Sequence, residues 1–264
     1  MSPIDPANTS PSAEAASAVE RHARGSAQYG RRLHSALALL REAAQQHAGC
    51  VVQASSLGVE DMVLTDLIRR HALPIPVAML DTGLLHSQTL DLLRRLQSHY
   101  GIEVEVWKAP EPAVQAFVAG NGSDAMYRSV ALRQACCALR KLEPLQRMLA
   151  ARSAWITGLR REQSAQRGDL QARQTEADAR LKFSPLFDWS LGDVWQYVAD
   201  FGVPYNTLHD RFFPSIGCAP CTRAVSPGED LRAGRWWWER GSAKECGLHQ
   251  VRGSQAAPGA RSAA

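Results

Sequence analysis

The spacing of apolar positions changes character repeatedly along the chain. Residues 50–54 (Cys-Val-Val-Gln-Ala) make a short, nearly continuous apolar run that stops at Ser55-Ser56-Leu57-Gly58, the pattern of a strand feeding a turn. Over 61–71, Val63, Leu64, Leu67 and Ile68 fall on one helical face. Residues 76–80 read as a second strand, closed by Asp81-Thr82-Gly83. Leu90, Leu93, Leu96 and Tyr100 then recur at helical spacing, with Gly101 as a natural stop. Residues 103–107 alternate as a third strand, 155–158 and 181–186 read as two more, and 193–201 as a helix. No internal repeat is visible.

Strands separated by helices imply right-handed crossovers, so the expected fold is α/β, a mainly parallel twisted sheet with helices on both faces. Ligands of such sheets sit beyond the carboxyl ends of the strands. That singles out 55–61, 81–86 and 158–167. Residues 1–24 and 251–264 are rich in Ala, Ser, Gly and Pro without apolar periodicity, and are expected to be disordered tails. Between them, 25–250 is expected to form one domain.

The chain has 264 residues, 45% hydrophobic and 21% charged, ordinary values for a globular protein. A net charge of +4 is too small for a nucleic-acid coat. No apolar run approaches the roughly 18 residues of a membrane span, and the first twenty residues lack a secretory signal's basic start and apolar core. A cytoplasmic protein without membrane or nucleic-acid partners is expected. Positive charge is nevertheless uneven: residues 128–182 hold twelve Lys/Arg against five Asp/Glu. Arg160, Arg161 and Arg167 follow a strand end, and Arg223, Arg232 and Arg235 accompany a cysteine pair. Guanidinium forks match phosphate and sulfate oxygens, which points to a small polyanion. Small hydroxylated residues and a glycine over 55–58, before a helix, suit a phosphate or ribose. There is no Walker lysine and no G-x-G-x-x-G, so P-loop kinases and dinucleotide folds are disfavoured.

Six cysteines in such a chain point to metal binding or catalysis rather than disulfides. Cys136-Cys137 and Cys218-x-x-Cys221 offer four sulfurs for zinc or an iron–sulfur cluster. Adjacent residues diverge by about 100° on a helix, which reaches the corners of a wide cluster more readily than a single ion. Cys246, in Lys244-Glu245-Cys246-Gly247-Leu248-His249, stands apart, with Lys244 and His249 placed to favour its thiolate. Cys50 is expected in the core. Trp236, Trp237 and Trp238 are expected to pack against Tyr205 and Phe212-Phe213 rather than on a ligand.

Seven motifs occur in order: SSLGVED, LDTGLLH, CCALRKLEPL, TGLRREQSAQR, GCAPCTR, GRWWWE and KECGLH. On these, the chain from Val51 to His249 resembles the assimilatory adenylyl-sulfate reductases, relatives of the PAPS reductases in the PP-loop superfamily. The resemblance implies that Cys136, Cys137, Cys218 and Cys221 ligate a [4Fe–4S] cluster and that Cys246 is the nucleophile. It implies that Ser55, Ser56, Gly58 and Asp61 cradle the nucleotide, beside the segment containing Leu80, Asp81, Thr82, Gly83 and His86. Lys141, Arg167, Arg232, Arg235 and His249 would surround the phosphosulfate. Ser56 stands where ATP-pyrophosphatase relatives have a glycine, which speaks against ATP cleavage. The implied reaction reduces adenylyl sulfate with thioredoxin or glutaredoxin as donor, through S-sulfocysteine on a mobile C-terminal segment; a homo-oligomer is compatible with it. The rival readings are a PAPS reductase and a zinc-ribbon module binding single-stranded nucleic acid.

Overall fold

The computed structural model describes residues 16–239. Six strands form one sheet in the order β3-β2-β1-β4-β6-β5: β1 (Val51–Ser55), β2 (Val77–Leu80), β3 (Glu105–Trp107), β4 (Ala154–Ile156), β5 (Arg173–Thr175) and β6 (Leu181–Phe183). All neighbouring pairs are parallel except β5 with β6. The chain winds outward from β1 to β3, then returns to place β4 on the other side of β1. The order therefore reverses between β1 and β4, where open α/β sheets form a crevice at their carboxyl ends.

The period of two in these strands sorts their side chains between two cores. Val51, Val77, Met79, Ala154 and Ile156 enter the large core. It is built with α2 (Tyr29–Gln46), α3 (Val59–Arg70), α4 (Ser87–Tyr100) and α9 (Leu191–Phe201). Val52, Ala78 and Trp155 point the other way, onto Leu145, Met148 and Leu149 of α8 (Glu143–Leu149). Helices thus cover both faces, as expected. Gln53 is a buried polar residue in the central strand, satisfied by α3: its amide donates to the Asp61 carbonyl at 2.7 Å, and it accepts from Thr65 Oγ1 at 3.0 Å. Gly101, at φ +60°, ends α4 in the left-handed conformation that glycine adopts without steric cost.

Helix α7 (Val130–Cys137) continues into α8 through a π-helical stretch, Ala138–Leu142. Pro144 falls in the first turn of α8. It has no N–H to donate, and a widened turn just before it accommodates the missing bond without ending the helix. The short helices α5 (Glu111–Asn121) and α6 (Ala125–Arg128) lead into this element.

Two expectations need correction. The tail expected over 1–24 is structured from residue 16 onward. There α1 (Ala18–His22) carries a reciprocal cap between Ser17 and Glu20, with Ala18 buried and its N–H on Asp210. A five-residue helix is too short to show periodicity, so only its cap marks it. Cys50 is exposed, because β1 starts one residue later and Cys50 sits in the preceding turn, its carbonyl accepting from Ser153 and Ala154.

Asp66 of α3 ties three helices together. It accepts from Tyr197 Oη at 2.7 Å, Tyr100 Oη at 3.0 Å and Arg70 Nε at 3.0 Å. Replacing Tyr197→Phe removes one bond to a buried carboxylate and is expected to lower the unfolding free energy by about 2 kcal/mol in urea titrations.

Candidate active site

A large pocket opens where the strand order reverses. Its walls come from the ends of β1 and β2 and the loops after β1, β2 and β4: Ser55, Ser56 and Gly58, Leu80 and Thr82, and Thr157, Gly158 and Arg160. Ala54, Ala78, Leu145, Met148 and Trp155 give it an apolar floor, and Lys141, Arg167, Arg232 and Arg235 a cationic side. An apolar slot beside four cations fits a ligand with a flat end and an anionic end.

The β1–α3 loop is held by a carboxylate beneath it. Asp61 accepts from Ser56 N–H at 2.7 Å, Ser56 Oγ at 2.7 Å and, across the sheet, Gly158 N–H at 3.0 Å. Gly158 has to be glycine, since a Cβ there would stand 2.5 Å from Asp61 Oδ1. Burial pushes the Asp61 carboxyl up to about 6, against the pull of the Ser56 bonds. Its neighbour Glu60 accepts from Arg160 Nε and Gln163 Nε2, each at 3.0 Å. Burial works against the Glu60 charge, but the Arg160 guanidinium holds its carboxyl below the usual range. Arg160, 2% exposed, also reaches the Trp189 carbonyl. Arg160 is therefore a brace between two strand-end loops, and Arg161, bonded to the Leu170 carbonyl and lying over Phe187, is likewise engaged with protein.

The structure brings together at this pocket Ser55, Ser56, Gly58, Asp61, Leu80, Thr82, Lys141, Arg167, Arg232 and Arg235. Three candidates stand outside its lining. Asp81 pairs with Lys108 at 2.8 Å and accepts from Gly83 N–H. Gly83, at φ +69°, forms the turn, and His86 precedes α4 with its ring against Phe213. Cys246 and His249 lie outside the described residues. Sequence reasoning passed over Glu60, Gln163, Trp155 and His209, which also line the pocket. Burial pulls the His209 imidazole down to about 4, so it is neutral at physiological pH. Only position after a strand marked Gln163, and nothing local marked His209.

Beside the pocket, Cys136, Cys137, Cys218 and Cys221 line a second, small cavity with Arg133, Arg140 and Lys141. All four are buried and free of disulfides. The tandem pair comes from the end of α7; the other pair flanks a 3-10 turn, Ala219–Cys221, tied by its Ala219 N–H to the Leu84 carbonyl. Thr82 Oγ1 lies 3.2 Å from Cys218 Sγ. Burial, with the nearby Cys218, pushes the Cys221 thiol up to about 11, against Lys141 and Arg235. Among the described residues, no three Cys, His, Asp or Glu side chains are grouped so as to hold a metal ion as they stand. The donor set itself, four buried sulfurs with three cations at the rim, has the chemistry of an anionic iron–sulfur centre.

Trp236 is 1% exposed and packs with the four cysteines, while Trp237 is 39% exposed. Trp237 and Trp238 meet Tyr127, not the expected Tyr205 and Phe212-Phe213, because their segment returns to the cysteine turn rather than to α9.

Fold and site together define an α/β protein with a cation-lined pocket against a thiol-lined cavity. Residues 50–224 match the family model described as phosphoadenosine phosphosulfate reductase domain, and the chain belongs to that family. It is 55% identical to the adenosine 5′-phosphosulfate reductase of Allochromatium vinosum over 202 residues, 76% of this chain and 78% of that one. It is 51% identical to the Burkholderia cepacia protein of the same name, over 80% of this chain and 85% of that one. Among solved structures, the PAPS reductase of Candida auris in its phosphate complex aligns with a TM-score of 0.60 and 26% identity, covering 73% of this chain and 92% of that one. The FMN adenylyltransferase of Candida glabrata shares the fold alone, at 16% identity and a TM-score of 0.53, covering 80% of this chain and 73% of that one.

The Asp61 carboxyl carries a testable sign. Its folded value, about 6, lies above the ordinary 3.8. Its contribution to stability is therefore complete below about pH 4 and is lost as the pH rises through about 6. In urea unfolding at pH 4 to 7, the difference between wild type and Asp61→Asn is expected to move against wild type by up to about 3 kcal/mol. A flat difference would show that the Ser56 and Gly158 donors balance burial, and a move toward wild type that they outweigh it.

Proposed function

We propose that the protein reduces adenosine 5′-phosphosulfate to sulfite and AMP, with Cys246 as nucleophile and a dithiol protein of the thioredoxin or glutaredoxin type as reductant. One observation carries the reading: the cation-lined pocket and the cavity of four buried thiols share Lys141 and Cys218 as a common wall. The names of the A. vinosum and B. cepacia relatives support adenylyl sulfate as the substrate.

Ser55, Ser56 and Gly58 would face the nucleotide, held in shape by Asp61, with Leu80 and Thr82 alongside the adenosine. Asp81, Gly83 and His86 would set the turn that presents them. Arg167, Arg232, Arg235 and Lys141, with His249, would hold the phosphosulfate. The Cys246 thiolate attacks the sulfur of the sulfate moiety. A sulfur–sulfur bond forms as the bond from that sulfur to the bridging oxygen breaks, and AMP leaves with the electron pair on its phosphate. The cations meet the charge that grows on the departing oxygen, where preorganised donors lower the barrier most. A thiolate of the reductant then attacks Cys246 Sγ and sulfite departs. The reductant's second thiol resolves the mixed disulfide, returning Cys246 and leaving the reductant oxidised by two electrons.

Cys136, Cys137, Cys218 and Cys221 would hold a [4Fe–4S] cluster, which when bound supplies a compact charged group at the pocket wall beside Lys141. A chemistry that depends on reduced thiols suits the cytoplasm. Among the described residues no helix is long and apolar enough to cross a membrane.

Incubated anaerobically with adenosine 5′-phosphosulfate and no reductant, the protein is expected to gain the mass of one SO₃ group on the peptide containing Cys246. Cys246→Ser is expected to abolish sulfite formation and leave visible-region iron–sulfur absorption intact. Faster turnover of the 3′-phosphorylated nucleotide would reassign the substrate. A colourless zinc protein with salt-sensitive oligonucleotide affinity would overturn the reading.

A further inference from the structure

The segment leading to Cys246 is fastened to both cysteine pairs before it leaves the described structure. Gly234 accepts from Arg223 N–H at 3.0 Å, and Trp236 donates its N–H to the Cys221 carbonyl at 3.3 Å. Trp236 has φ +43°, a conformation that a bulky residue keeps only where its surroundings over-determine it. Those surroundings are two guanidiniums, Arg133 at 4.7 Å and Arg235 at 4.8 Å from its ring centroid. Glu239, the last described residue, then closes on Arg133 in a fork: Nε donates to Oε1 at 2.8 Å and Nη2 to Oε2 at 3.0 Å. Both side chains are buried, 3% and 9% exposed. Arg133 belongs to α7, hydrogen-bonds Cys137 and lines the thiol cavity. Neither Arg133 nor Glu239 lines the anion pocket.

A buried ion pair gives little net stability over an apolar pair, and its most defensible use is to fix one geometry. The geometry fixed here is the root of a short tether. Cys246 lies seven residues beyond Glu239, a reach of at most about 25 Å. For so short a tether, the effective concentration of the thiol at the pocket depends on where the tether starts. We propose that Arg133 and Glu239 form a clasp that anchors the Cys246 arm to the cysteine-bearing helix, and so act as positioning residues for sulfo transfer. The proposal rests on the reading of Cys246 as the nucleophile.

The clasp acts on the transfer step and not on nucleotide binding. In single-turnover measurements of SO₃ gain on Cys246 at saturating adenosine 5′-phosphosulfate, Glu239→Gln is expected to slow transfer about threefold or more. The dissociation constant for AMP and the iron content should match wild type. A flexible insert of about twenty Gly and Ser residues between Glu239 and Cys246 should slow transfer about eightfold. In that background Glu239→Gln should have no further effect, because the anchor no longer governs the thiol. Should Glu239→Gln fail to fold, Glu239→Asp keeps the charge, is too short to close the fork and is expected to show the same pattern. Wild-type rates in these variants, or losses that track iron content, would overturn the clasp and leave the functional reading standing. Absence of SO₃ on Cys246 in wild-type protein would remove that reading and the clasp with it.

Discussion

The ligand end of this protein is organised around a shared wall. Lys141 and Cys218 each face the anion pocket on one side and the thiol cavity on the other. An ordinary α-helix interrupted by Pro144 would have ended before that proline, separating the tandem cysteines from the sheet-covering α8. The π-helical turn over Ala138–Leu142 keeps the helix continuous instead. One rigid element can then deliver two thiols, a lysine and the apolar Leu145 and Met148 to adjoining sites. The cavity's chemistry and the pocket's field therefore cannot be changed independently, and that coupling is the constraint the rest of the site accommodates.

Electrostatics explain why so cationic a pocket also holds two carboxylates. Glu60 and Asp61 sit within the lining, where unpaired acids would repel an anionic ligand. Their oxygens are engaged with protein donors: Arg160 and Gln163 on Glu60, Ser56 and Gly158 on Asp61. Each carboxylate fixes one strand-end loop against another, across the reversal in strand order. Arg167, Arg232, Arg235 and Lys141 also line the pocket and give it its cationic side. The sequence concentrates arginine over 128–182, but composition does not reveal how the structure distributes it: Arg160 braces Glu60 and the Trp189 carbonyl, while Arg167 bonds Gln163 at the pocket wall.

How far the sequence could be read follows from how local each signal is. The strands β1 to β4 and β6 announced themselves through short apolar runs, one alternating segment and closing turns. Knowing where they end was enough to collect most of the pocket, because the parallel sheet aligns those ends. Strand β5 escaped because Arg173-Gln174-Thr175 is short, polar and at the sheet edge. The tandem cysteines and the distant C-x-x-C were conspicuous, yet the helix bearing the first pair was not, since its periodicity shifts at the π-helical turn. Trp155 and Met148 are buried core residues that also form pocket floor, because α8 leaves the strand ends uncovered. The Arg160–Glu60 pair joins residues a hundred positions apart, which no local pattern encodes.

The cysteines show the same separation of roles. Four are buried in one cavity, and Cys50, exposed before β1, has no part in it. Burial raises the Cys136 and Cys221 thiols, which makes them poor nucleophiles as free thiols. In the proposed function the reactive sulfur is accordingly that of Cys246 rather than one of this cavity. Trp236, three residues before Glu239, lines the pocket and packs against the four cysteines. One tryptophan segment, bonded to the Cys221 carbonyl and clasped to the helix of Cys136 and Cys137, thus joins the buried thiols to the cation-lined pocket.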